Sequence, residues 1–278
     1  MTQPRVLLHE IVAALDNIAA FSLAEAWDNV GLLVGDPDMP VTGIMVALDP
    51  TEAALEEAVA HGANVLVTHH PIIFQPLKAM RTDQPVGQLV SRALRDNLAV
   101  ISCHTNLDLA GGGVNDVLAA RLGLAEISEL SPAAPASLGR IGTYQTPLPA
   151  ETFLARVMDS LATPVLSIAG ELPNHIARVA VCGGSGSELA ASARQAGCHA
   201  FITSEVKLST ARWAQMAGLC IIDAGHYPTE NVIVPILAAE LHRRLGEKGH
   251  AIEVTASNKQ KNPFTHVSRE KQAIVFHQ

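Results

Sequence analysis

The stretch Val65-Leu66-Val67-Thr68-His69-His70-Pro71 joins a short apolar run to two adjacent histidines and a proline. The run reads as a buried strand, and Pro71 stops it because proline has no N–H to give a sheet ladder. Open α/β sheets present their chemistry at the C-terminal ends of their strands. Two imidazoles at such an end are candidate metal ligands and can serve two different ions. The competing reading is a solvated loop that holds two histidines.

Working outward, residues 43–48 (GIMVAL) read as the preceding strand. Asp49-Pro50-Thr51 then supplies helix-capping material, and Glu52, Glu56 and Glu57 begin a helix to about residue 61. Gly62 stops it, and residues 64–68 form the strand that delivers His69 and His70. Such a βαβ unit builds a parallel sheet with a right-handed crossover. Upstream, residues 6–20 have apolar positions at helical spacing. Residues 27–37 (WDNVGLLVGDP) read as a tight turn into a short strand, where Asp28 and Asn29 serve turn chemistry; the other reading is a loop lining a pocket. Downstream, a helix over 86–97 leads to a strand at 99–102. That strand delivers Cys103-His104-Thr105-Asn106-Leu107-Asp108, and helical spacing resumes over 114–122.

Residues 131–136 (SPAAPA) look like a connector. Beyond them a second αβ pattern has strands at 139–144, 165–169, 178–182, 200–203 and 219–223. Its helices lie at 150–161, from about 188, and at 208–217. Gly183-Gly184-Ser185-Gly186-Ser187 can hold an anion on backbone N–H groups, but it lacks the P-loop lysine and the dinucleotide-fingerprint spacing, and a tight strand-to-helix turn is the better reading. The strand at 219–223 delivers Gly225-His226-Tyr227-Pro228-Thr229-Glu230; His226 and Glu230, four apart, share one face if this is a helix start and can still converge across a turn. A long helix over 232–248 and a closing strand over 250–255 follow. The segment after Pro263 reads as an exposed or loosely docked tail. The expectation is an α/β protein of two αβ domains, each a mostly parallel or mixed sheet flanked by helices, with the metal site at strand C-terminal ends between them. The first domain spans 1–128 and is completed by 225–264, the second spans 129–224, and the tail spans 265–278.

Composition narrows the function classes. The 278-residue chain is 48% hydrophobic but only 4% aromatic, which favours a helix-covered sheet over an aromatic-rich sandwich. A formal charge of -8 and the lack of a Lys/Arg stripe argue against a nucleic-acid partner. Cys103, Cys182, Cys198 and Cys220 form no CxxC pair and read as small buried hydrophobes. No apolar span is long enough for a membrane helix and no signal-like segment opens the chain, so a soluble cytoplasmic protein is expected.

Three strand ends thus offer His69 and His70, His104 and Asp108, and His226 and Glu230. Imidazole with carboxylate suits zinc, iron, manganese, cobalt or nickel, and the absence of cysteine from the set argues against a structural zinc site. Six side chains exceed the needs of one tetrahedral ion. They suit two ions sharing a carboxylate, an arrangement that activates water for hydrolysis.

Together WDNVGLLVG, VTHHP, HTNLDLAGGGVND and DAGHYPTEN resemble the NGG-interacting-factor-three-like family, also known as type 2 GTP cyclohydrolase 1 homologues. The motifs span Trp27 to Asn231. The resemblance implies two αβ domains, two divalent ions per chain and a toroidal homohexamer. It implies the ligands His69, His70, Asp108, His226 and Glu230, with His104 a ligand or a group just behind them. The distance from Asp108 to His226 leaves no room for the domain that longer relatives insert, so this is the short form. Where the family often carries TGE or TGD followed by histidine, this chain has Thr203-Ser204-Glu205 with Lys207-Leu208 beyond, which puts extra contacts from that loop in doubt. The activity so implied is hydrolysis, of a small molecule such as GTP or a phosphoester; the alternative is a non-catalytic metal-binding or regulatory oligomer. Each of His69 and His70 is expected on a different ion, with Asp108 or Glu230 bridging.

Overall fold

A computed structural model describes residues 5–131, 138–270 and 273–277, with the side chains of 269, 270 and 273 excepted. Most of the connector read at 131–136 lies outside the described residues. The chain divides into two compact units, Met1–Ala110 with Val234–Gln260, and Gly111–Ile233 with Lys261–Gln278.

The first stretch of chain runs α1 (Leu8–Ile18), β1 (Gly31–Val34), β2 (Ile44–Ala47), α2 (Glu52–Ala60), β3 (Val65–Thr68), α3 (Pro85–Arg95), β4 (Ala99–Ser102) and α4 (Thr105–Leu109). The next runs α5 (Val114–Arg121), β5 (Ala125–Glu129), β6 (Arg140–Pro149), α6 (Ala150–Leu161), β7 (Ser167–Ala169), β8 (His175–Ser185), α7 (Ala190–Gln195), β9 (Ala200–Ser204), α8 (Leu208–Ala217), β10 (Cys220–Asp223) and α9 (His226–Glu230). The chain closes with α10 (Ile233–Glu247), β11 (Val254–Ala256), β12 (His266–Glu270) and β13 (Ala273–His277).

In the first unit the sheet order is β1-β4-β3-β2-β11. The four strands from β4 to β11 are parallel, and β1 joins the edge antiparallel to β4. β2, β3 and β4 are buried along their whole length, as expected of parallel strands covered on both faces. Met45, Leu66 and Val100 of these strands pack with Leu55 and Ala58 of α2 and Val90 and Ala93 of α3. Thr51 starts α2, its Oγ1 accepting from Ala54 N at 3.2 Å. Pro85 occupies the first turn of α3, where its missing N–H leaves no helix bond unmade.

In the second unit the order is β5-β6-β8-β9-β10-β7. β8, β9 and β10 run parallel, and β5, β6 and β7 make antiparallel pairings at the two sides. One face of this sheet packs Val179, Val181 and Ile202 with Phe153 and Val157 of α6; the other packs Ala180, Phe201 and Ile221 with Ala193 of α7 and Ala214 of α8. Both sheets are mixed and helix-flanked, the α/β class expected from the sequence.

α5 packs on β6 and β8 within the second unit. One detail differs from the sequence reading. β8 extends through Gly183 and Gly184 to Ser185, so this glycine pair is strand and the turn comes after it. In the segment after Pro263, which exposes Phe264, Val267, Ile274 and Phe276, β12 and β13 form a two-stranded antiparallel sheet, with Ser268 Oγ and His277 Nε2 2.8 Å apart. All four cysteines are buried and unbridged. Among the described residues no helix is long and apolar enough to cross a membrane.

Candidate metal centre

Parallel pairing sets Thr68 of β3 opposite Ser102 of β4, so the residues after each strand leave the first unit's sheet side by side. His69, His70 and His104 gather there. Their ring centroids lie 5.0 Å (69 to 70), 5.2 Å (69 to 104) and 5.5 Å (70 to 104) apart. One ring nitrogen of each comes within 4.8 Å of the others, a grouping able to hold a metal ion. In a continuing strand His69 and His70 would point to opposite faces. The chain bends after Thr68 instead, with Thr68 Oγ1 donating to His70 O at 2.7 Å, and both rings reach the same group.

Each of the three imidazoles is fixed through Nδ1. His69 Nδ1 donates to the carbonyl oxygen of Cys103 at 2.8 Å. His70 Nδ1 lies 2.7 Å from Asp49 Oδ1, and His104 Nδ1 lies 2.8 Å from Asp28 Oδ1. Carbonyl and carboxylate oxygens only accept, so the Nδ1 proton is held and Nε2 carries the ring's lone pair. Sheet topology places these partners. β2 is parallel to β3, so Asp49 leaves the same edge as His70; β1 is antiparallel to β4, with Gly31 opposite Ser102, so Asp28 enters at that edge too.

Asp28 is tightly held. Its carboxylate also accepts from Thr105 N at 3.0 Å, from Thr105 Oγ1 at 2.5 Å and from Asn29 N at 2.8 Å. Burial by itself would raise the Asp28 pKa, but the hydrogen bonds from His104 and Thr105 outweigh it and hold the carboxyl well below the usual carboxylate range. Asp28 is therefore an anion at any physiological pH.

Behind this group, His69 Nε2 lies 3.6 Å from Asp108 Oδ1, and His69 is only 1% exposed. With its proton committed to Cys103 O, the ring turns a nitrogen lone pair toward a carboxylate oxygen in a buried place. A proton or a metal ion between two such electron-rich atoms relieves their repulsion. Imidazole with carboxylate is the donor set of borderline divalent metals. The residues present fit such an ion.

In the second unit the parallel register pairs Thr203 of β9 with Asp223 of β10, so Glu205 and His226 leave the sheet as neighbours. Asp223 ties the two exits together: its Oδ2 accepts from Val206 N at 3.0 Å and its Oδ1 from Gly225 N at 3.1 Å. His226 repeats the arrangement of the first unit, with Nδ1 2.7 Å from Glu205 Oε1 and Nε2 3.0 Å from Glu230 Oε2, one turn on in α9. β8 makes room for them at Gly184, whose φ is +62°. A Cβ there would collide with Glu230 Oε1 and reach 3.1 Å from His226 Nε2. Gly184 N donates to Thr229 Oγ1 at 3.0 Å, and Gly183 N to Asn115 Oδ1 at 2.9 Å, locking strand against helix.

The structure thus gathers His69, His70 and His104, sets Asp108 against His69, and pairs His226 with Glu230. Sequence reasoning missed the roles of Asp28, Asp49 and Glu205. In the sequence Asp28 reads as turn chemistry or part of a loop lining a pocket, and Asp49 as cap material, although the capping atom belongs to Thr51. The signal for Glu205 was its place one residue beyond a parallel strand next to that of His226. At the unusual Thr203-Ser204-Glu205 segment, Glu205 supplies an imidazole contact after all, from a left-handed backbone with φ +52°.

Comparison with known proteins places the chain among relatives of the same fold. The family model described as Duf34/NIF3 (NGG1p interacting factor 3) matches residues 6–263. A Streptomyces coelicolor protein named GTP cyclohydrolase 1 type 2 homolog is 33% identical over 266 residues, covering 93% of each chain. A Clostridium perfringens protein of the same name is 31% identical, covering 92% of this chain and 98% of its own. A crystal structure from Staphylococcus aureus superposes with a TM-score of 0.89 at 30% identity, over 95% of this chain and all of that one.

Proposed function

Because the chain belongs to the Duf34/NIF3 family, we propose that it is a dinuclear divalent-metal protein acting as a hydrolase, like the GTP cyclohydrolase 1 type 2 homologues it is similar to. His69, His70, Asp108, His226 and Glu230 would hold the ions, with Asp108 or Glu230 as the carboxylate offered to both. His104 stands beside them as ligand or support. When bound, two ions of zinc, iron, manganese, cobalt or nickel supply Lewis-acid charge and water acidic enough to hydrolyse an electrophilic carbon or phosphorus.

The chain's own groups prepare for this. Nδ1 contacts with Cys103 O, Asp49, Asp28 and Glu205 fix the tautomer and ring orientation of four imidazoles. The two carboxylates, Asp108 and Glu230, offset part of the charge of two dications and are buried enough to keep water from competing. The fixed Nδ1 atoms carry this reading: a solvated histidine has no need of a carboxylate or carbonyl oxygen holding the ring nitrogen that faces away from the cluster. The assembly is proposed to be the family's toroidal homohexamer, working in the cytoplasm on a small molecule.

The test is reconstitution with each metal, elemental analysis, light scattering and a screen against GTP and phosphoesters. Two ions per chain, a particle of six 29.3 kDa chains and product release abolished by Asp108→Ala are expected. Fewer than one ion per chain would sink the metal reading. Full metal loading without any turnover would replace the hydrolase with a non-catalytic metal-binding or regulatory protein.

A further inference from the structure

Beside His104 stand two large aromatic side chains that the metal reading does not use. Trp27 and Phe74 have ring centroids 5.9 Å apart at 68°, and each lies edge-on to the His104 ring, at 6.2 Å and 6.1 Å. Trp27 is 57% exposed and Phe74 44% exposed, in a chain with only ten Phe, Trp and Tyr residues. Burial does not explain them, since neither belongs to the first unit's core cluster.

Their exposure is held in place by polar ties. Asn29 Nδ2 donates to Ile73 O at 2.5 Å, joining the Trp27 segment to the residue before Phe74. Asp28, next to Trp27, is bound by His104 and Thr105, and Glu25 N donates to Thr105 Oγ1 at 3.0 Å. The residue that orients His104 is thus the neighbour of the indole, so ring platform and metal group are set by one small network.

We infer that Trp27 and Phe74 form a stacking platform for a planar heteroaromatic ring of the substrate, presented to the metal group at His104. This deepens the hydrolase reading and rests on it. Flat π faces are suited to planar rings, for which stacking is sequence-tolerant and strong, whereas a chain of charge -8 is poorly disposed to draw in a polyphosphate by its charge alone. The ring, in this account, is what the rim recognises.

The test compares guanosine 5′-monophosphate with ribose 5-phosphate, which share sugar and phosphate and differ in the ring. On a Trp213→Phe background the single remaining indole is Trp27, so its fluorescence reports the platform in metal-loaded protein. The nucleotide is expected to quench that signal and to bind about tenfold or more tightly than the sugar phosphate in equilibrium dialysis. Trp27→Ala and Phe74→Ala should each remove most of that preference, Trp27→Phe should retain part of it, and metal content should be unchanged in all three. Equal affinities for the two probes, or a preference that survives both alanine variants, overturns the inference. So does a Trp27→Ala variant that loses particle mass without losing ring preference, which assigns the rim to contacts between copies of the chain. The two readings fail separately. Turnover of phosphoesters with no ring preference leaves the hydrolase and removes the platform; ring preference with no turnover of any compound does the reverse.

Discussion

The proton on one nitrogen of each imidazole decides what the other nitrogen can bind. Asp28 and Asp49 each hold an Nδ1 proton, of His104 and His70, whereas His69 relies on the neutral carbonyl of Cys103. A carboxylate raises the donor strength of the far nitrogen more than a carbonyl does. Asp49→Asn keeps size and shape but removes the charge, and its amide can present an N–H where an acceptor is needed. It is expected to weaken metal affinity about 10- to 100-fold, measured by competition with a chromophoric chelator. Asp28→Asn acts at the ring that is either ligand or support: a comparable loss makes His104 a ligand, and a loss below about threefold makes it support. These partners were not legible beforehand, because an aspartate at a turn and one before a helix are explained locally. Their second role depends on residues 76 and 21 positions away.

At the level of elements, the strand ends that deliver the site were readable from apolar runs broken by His, Gly or Pro. β3, β4 and β10 lie where those runs predict. Short pieces were not readable. α4 has five residues, too few to show a helical period, and all five are buried. β5 carries a left-handed Glu126 and a register shift against β6, which disrupt its alternation. β12 and β13 hide among polar residues such as His266, Ser268 and His277. The β8–α9 packing depends on a missing side chain. Gly184→Ala places a methyl against Glu230 at a backbone angle that L-residues avoid, so it is expected to cost about 1–3 kcal/mol in urea unfolding of the metal-free protein. It should also lower metal affinity by displacing Glu230. Metal affinity unchanged in a variant so destabilised would show that Glu230 is not a ligand.

For the whole molecule, the proposed metal binding links to folding, since the residues assigned as ligands lie at separate strand ends that only the folded chain organises. Metal at about 100 times its dissociation constant is expected to add about 2.7 kcal/mol to folded stability, visible as a rise in Tm that EDTA reverses. Protons compete with metal for imidazole Nε2, so the increment should shrink on acidification and recover at neutral pH. A Tm indifferent to both metal and chelator would show that no ion is held by the native state.

The sequence by itself determined the α/β class, the strands that end in histidines and the donor types, because apolar period and strand stops are local properties of the chain. It also carried the family, because the four motifs and their order are written in it. Tertiary structure alone decided which oxygen holds each imidazole, that Gly184 is room made for a carboxylate, and that Trp27 and Phe74 flank His104. Those relations join residues from different strands, and only the pairing register of β1 to β4 and of β8 to β10 sets their distances. The adjacent pair His69-His70 shows both halves of this: the strand that delivers it was legible at once, but the bend that brings its two rings to one group is made by Thr68 in the folded chain.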